Sequence, residues 1–130
     1  MKITVVKILS VVVAYAISIL LATPFGMLYD LFPATSLSGG FIGAPGTWEW
    51  IVGFPLAVIF TLTFLLHAHG ARFKWHWNVL ALAPVIIFEI GIDPLHIYIP
   101  SMLALIAWGL GTLAHKTLTK LAPQFMRRMQ

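Results

Sequence analysis

The amino-acid sequence predicts an all-α integral membrane protein, a bundle of four transmembrane helices with both termini in the cytoplasm and a long apolar outer loop between helices one and two. Three observations predict it. The first is composition: of 130 residues, 60% are hydrophobic and only 9% are charged, and the mean hydropathy is +0.95. A water-soluble domain carries about 25% charged residues, so there is too little polar material here to cover a globule, and lipid must do the covering. The second is a set of four apolar runs, each approaching the roughly 20 residues that cross a hydrocarbon core. The third is the segregation of charge along the chain.

The runs define a single transmembrane domain over residues 1–130, with helices predicted at about 3–22, 50–66, 78–93 and 95–115. The first run, Ile3 to Ala22, has the basic start and small-residue end of a secretory leader. It is long enough to span, however, and reads as a helix in which Lys7 snorkels back to the headgroups. The third run is short, and extends through Asp93 so that Pro94 begins the fourth helix at the position proline favours. Helices three and four then form a hairpin turning at Gly91-Ile92-Asp93-Pro94.

Orientation follows from charge. Lys2, Lys7, Arg72, Lys74, Lys116, Lys120, Arg127 and Arg128 all fall on one side of the predicted spans, and Asp30, Glu49, Glu89 and Asp93 fall toward the other. Lys and Arg mark the cytoplasmic side, which places both termini inside and predicts a multi-pass protein of the cell membrane, the inner one where there are two. Trp48 and Trp50 mark the outer interface, and Trp75 and Trp77 the inner one. The net charge of +4 is therefore no nucleic-acid signature. These basic groups flank apolar runs and meet anionic lipid headgroups.

The outer loop, Thr23 to Trp48, falls into two parts. Pro24 to Phe32 is predicted as a short helix lying in the interface. Ser36 to Gly46 is glycine-rich and carries Phe41 and Ile42, so it lies against the bilayer or a partner. A re-entrant hairpin there would need protein around it, because lipid does not tolerate irregular backbone.

Small residues recur at helical spacing. Helix one carries Ser10, Ala14, Ser18 and Ala22, helix two carries Gly53, Ala57 and Thr61, and helix four carries Ala104, Ala107, Gly111 and Ala114. Such stripes let backbones approach closely where lipid supplies no hydrophobic drive. They pack the bundle internally, and with three stripes in four helices one remains available to a partner chain.

Among residues able to carry chemistry, Glu89 stands out. It precedes Asp93 by one helical turn, about 6 Å below the outer turn, and an ionisable group inside the apolar layer is costly and points to function by default. With His96 it forms Glu89-x-x-x-Asp93-x-x-His96, either a proton or cation site or a polar cluster capping the hairpin. Glu49 reads as a first-turn acid complementing the helix dipole behind an N-cap at Thr47. His67, His69, His76 and His115 gather at the cytoplasmic side, where imidazoles are ordinary interface residues. The alternative they leave open is a metal or a haem. No Cys or acid on that side completes a tetrahedral set, and a haem or other tetrapyrrole would slide past Gly111 to take His115 and His67. No cofactor is expected.

Enzyme signatures are absent from the sequence. Without cysteine there is no disulfide, thiolate metal site or thiol chemistry. There is no phosphate-binding glycine loop, no Gly-x-Ser-x-Gly elbow and no His-Glu-x-x-His. Two functional readings remain. The first is a non-catalytic accessory or structural subunit of a larger membrane complex, its partners being lipid and other subunits or a second copy. The second is a small homodimeric ion or solute transporter using Glu89. Small multidrug transporters share the size, but they carry their membrane-embedded acid in the first helix, where this chain has Lys7 alone.

Overall fold

A computed structural model of the protein describes residues 3–31, 47–69, 75–92 and 96–121. Their regular structure is helical: α1 spans Ile3–Tyr29, α2 Thr47–Ala68, α3 Trp75–Ile92 and α4 Tyr98–Leu121. Among the described residues, three stretches are long and apolar enough to cross a membrane, namely Ile8–Tyr29, Glu49–Ala68 and Tyr98–Leu121. In α3 the described apolar stretch is shorter, Leu82–Gly91.

Several expected helix bounds are corrected. Helix one does not stop at Ala22 with a separate interfacial helix after it; it continues through Pro24 to Tyr29. A proline removes one backbone donor, which breaks helices in water but is tolerated in membrane helices because neighbouring groups re-satisfy the freed carbonyl. Here the extension is held by packing. Tyr29 is fully buried in a cluster with Val52, Leu56, Ile99 and Leu103, and Phe25 packs against it. Pro55 and Pro84 likewise sit inside α2 and α3. The fourth helix, in turn, begins at Tyr98 rather than Leu95, after a turn at His96–Ile97, and Pro100 occupies its first turn, where the missing donor is unpaired anyway. It runs on to Leu121, past the expected end near residue 115. Helix three starts earlier than expected, at Trp75. Asp93, Pro94 and the loop from Ser36 to Gly46 lie outside the described residues.

The architecture is a hub and three spokes. Within their apolar spans, 61% of α2 is buried, against 22% of α1 and 28% of α4. α2 meets α1 most extensively, α4 next and α3 least, and among the described residues the outer three scarcely meet one another. The core follows α2: Leu62 and Leu66 pack with Ala14 on one side, while Val58 and Ile59 meet Val85 of α3 on another. The outward faces of α1 and α4 carry exposed Val12, Leu20, Leu105 and Leu113, as suits a membrane protein whose outer solvent is lipid.

Candidate functional site

The closest helix contact is built from the small residues. Ser10, Ala14, Ser18 and Ala22 of α1 are all buried, as are Gly53, Ala57 and Thr61 of α2. A methyl group added at Gly53 would fall on the Ala22 carbonyl oxygen and the Gly26 nitrogen, and one added at Gly26 would fall on the Glu49 backbone. Both positions need glycine because the two backbones touch there. Gly26 continues the four-residue period of Ser10 to Ala22, but sequence reasoning missed it by ending the helix before Pro24.

Across the middle of this contact the Ser18 and Thr61 hydroxyls lie 2.7 Å apart. Ser18 Oγ also donates to the Ala14 carbonyl at 2.7 Å, and Thr61 Oγ1 to the Ala57 carbonyl at 2.7 Å. Each hydroxyl has one proton, so two protons serve three contacts, and one helix carbonyl always shares its donor with the inter-helix bond. This is polar glue between α1 and α2.

On the other side of α2, Ala107 and Gly111 of α4 are buried. A Cβ at Gly111 would lie 2.6 Å from the Phe64 carbonyl oxygen and 2.9 Å from His67 Cβ. The close approach that a flat ring would need at Gly111 is thus taken by α2 itself. Each of the nearby histidines directs Nδ1 at a carbonyl: His67 at Thr63 and His69 at Leu65, both at 2.8 Å, and His115 at Ala68 at 3.3 Å. A carbonyl only accepts, so Nδ1 carries the proton in all three. His67 also meets Trp108 edge-on. The side chain of His76 lies outside the description, and among the described residues no three His, Asp or Glu side chains converge as a metal site would require.

Glu89 sits elsewhere, on the face of α3 turned toward α2 and α4. Because α3 leans on α2 through Leu82 and Val85 alone among the clustered core residues, a cleft of about 180 Å³ remains between α3 and α4. Its walls are apolar, formed by Ile59, Leu82, Ile86, Pro100 and Ala104, with Ser101 at one side. Glu89 lines it, 4% exposed, and its Oε2 is buried with no hydrogen-bond partner among the described residues. Ser101 does not supply one, since its hydroxyl donates to the Ile97 carbonyl at 2.8 Å. His96 does not line the cleft. It packs edge-on against Tyr29 of α1 and against Tyr98, with ring centroids 6.2 and 5.8 Å apart. Of the predicted trio, then, Glu89 and His96 occupy different surroundings and Asp93 lies outside the description. The cleft's other walls carried no sequence signal, because Ile59, Ile86 and Pro100 look like ordinary lipid-facing residues.

A second acidic spot lies where α1 and α2 cross. Asp30, just beyond α1, has its carboxyl pushed above the usual range first by burial and then by the charge of Glu49. Glu49 is in the first turn of α2, but its Oε2 is buried without a partner, so that oxygen does not cap the helix.

Compared with protein-family models, curated proteins and solved structures, the chain matches none of them.

Proposed function

We propose that this protein is a non-catalytic subunit of a larger membrane assembly, with four helices crossing the bilayer and both termini in the cytoplasm. The observation that carries this reading is the unfinished packing of α3. α1 and α4 each close on α2 through glycine, alanine and serine, whereas among the described residues α3 meets α2 least and scarcely meets the other helices, leaving a buried carboxylate facing an apolar cleft. A helix so sparsely held gains its remaining contacts from another chain, since in lipid helices associate through packing and polar pairing. The absence of any convergent catalytic set in the sequence supports the same reading. The eight Lys and Arg residues at one side of the spans support the orientation.

The test is purification from native membranes in mild detergent followed by native mass spectrometry, with stoichiometric partner subunits as the expected result. The second reading, a homodimeric transporter, is favoured by the burial of Glu89. It requires a clean homodimer and cation- or proton-coupled flux in liposomes that Glu89→Gln abolishes. The chain has no native cysteine, so orientation is read directly from single-cysteine variants. Ser38→Cys should react with an impermeant thiol reagent from outside, and Thr119→Cys only after the membrane is opened. The reverse pattern would overturn the topology.

A further inference from the structure

Resting on the subunit reading, we infer that the α3–α4 cleft is the receptor for a single Lys or Arg side chain carried by the membrane helix of a different protein, with Glu89 as its counter-charge. The site is defined by three observations. Its one acid is almost wholly buried, with an oxygen that no described group satisfies. A carboxylate left this way in an apolar layer costs several kcal/mol, and a hydrogen-bonding cation is the group that relieves it best. Apart from Ser101, whose hydroxyl is bound to the Ile97 carbonyl, the walls are apolar, which suits the methylene stem of a long basic side chain while its head meets the carboxylate.

Size narrows the occupant. A cavity of about 150 Å³ holds one benzene ring, whereas pockets for whole drug-sized ligands or cofactors run to about 300–1,000 Å³. At about 180 Å³ the cleft takes one long side chain and little more.

Charge geometry then excludes a second copy as the donor. Along the sequence, every Lys and Arg of this chain falls toward the helix ends opposite Glu89: Lys7 in the first two turns of α1, Lys116 and Lys120 in the last two turns of α4, and the rest outside the helices. From Trp75, next to the basic link, to Glu89 is fourteen residues of α3, or about 21 Å at 1.5 Å per residue. A copy in the same orientation therefore brings no Lys or Arg to this depth. The histidine at this end, His96, already packs edge-on against Tyr29 and Tyr98.

The experiment uses the full chain in phosphatidylcholine vesicles, donor-labelled at Thr119→Cys, with acceptor-labelled synthetic transmembrane peptides of a Leu/Ala host sequence. One peptide carries a single Lys at the depth of Glu89, a second carries Leu there, and a third carries the Lys in the opposite leaflet. The Lys peptide at matching depth should associate about tenfold more strongly than either control, a difference of about 1.4 kcal/mol. That preference should vanish in Glu89→Gln, whose helix content and thermal midpoint stay near wild type, and in Ala104→Leu, which fills the cleft and keeps helix content but lowers the midpoint because Ala104 packs against Val58, Ile59 and Val85. Equal association of all three peptides, or a preference that survives Glu89→Gln, would overturn the inference. So would saturation of the cleft by n-butylammonium with no Lys-peptide preference, which would assign it to a free amine. Energy transfer between copies of the protein that Glu89→Gln abolishes would instead assign it to self-association. A native complex that persists without any Lys preference would sink this inference alone. A Lys preference in a chain that purifies without partners would sink the subunit reading and leave the receptor site standing.

Discussion

The two sides of α2 are packed by opposite means. Toward α1, the facing residues are Gly, Ala, Ser and Thr, and the backbones come into contact, with Ser18 and Thr61 joined by a hydrogen bond. Toward α3, the facing residues are Ile59, Leu82 and Val85, which hold the helices apart and leave a cleft beside Glu89. In water both faces would be driven together by burial of apolar area. In lipid that drive is missing, so closeness depends on what the side chains allow and on polar groups that pair. Among the described residues, small side chains therefore mark where the helices close on one another, and bulky ones beside Glu89, whose Oε2 has no partner there, mark where they stand apart.

The sharpest way to break this comparison is to add one methyl group at the tight side. Gly53→Ala places its Cβ on the Ala22 carbonyl, so α1 and α2 must move apart. We expect a loss of about 3 kcal/mol, the upper end of overpacking costs, seen as a lower thermal midpoint or loss of folded yield in detergent. Gly109→Ala is the control, since a Cβ there meets nothing within 4 Å. It should be neutral or gain up to about 1 kcal/mol from the better helix former. Gly111→Ala falls between the two. Its Cβ meets the Phe64 carbonyl at 2.6 Å, less severely than at Gly53, and a loss of about 1–2 kcal/mol is expected. Equal tolerance of all three substitutions would remove the claim that these glycines are contacts.

The Ser18–Thr61 bond sharpens the comparison at a finer scale. Ser18→Ala and Thr61→Val, alone and combined, form a double-mutant cycle. Hydrogen bonds between membrane helices couple by about 0.6 kcal/mol on average, with about 1.7 as the highest value. The bond here is 2.7 Å long and fully buried but shares its protons with two helix carbonyls, so coupling of about 0.5–1 kcal/mol is expected. Strictly additive losses would show that the two hydroxyls serve only their own helices.

What the sequence made legible follows the same division. The stripes on helices one, two and four could be read because residue size at a four-residue period is a one-dimensional pattern. Glu89 was legible because an acid in an apolar run is costly wherever it points. Gly26 and Tyr29 were not, because Pro24 was given its meaning in water, as a helix end, when lipid and a packed neighbour let the helix continue. The cleft was not legible either. It arises from how α3 leans on Leu82 and Val85 and from a late start of α4 at Tyr98, relations between helices that no periodicity encodes. The same limit parted Glu89 from His96. Spacing in the chain set them near each other, but His96 turns to the tyrosines across the bundle end.

The smallest expected effect lies at the outer end of the tight side, where close approach brings two acids together. Asp30 stands beyond the last turn of α1, and Glu49 lies in the first turn of α2, against Gly26. Burial and the Glu49 charge both raise the Asp30 carboxyl above its ordinary 3.8. An acid whose folded value is raised binds its proton more tightly in the folded state. The folded state is then favoured most when Asp30 is protonated, and stability falls as pH rises from the unfolded value through the folded one, levelling off above it. Asp30→Asn should remove that fall, so its stability exceeds wild type at neutral pH and converges with it in acid. Asp30 is largely exposed, so the gain should be small, and its Coulombic part should shrink as added salt screens the pair. Thermal midpoints of both proteins in detergent from about pH 3 to 7, at low and high salt, make the measurement. A wild-type curve that rises with pH across this window, or a variant that tracks it throughout, would show that the α1–α2 crossing does not force these two carboxylates together.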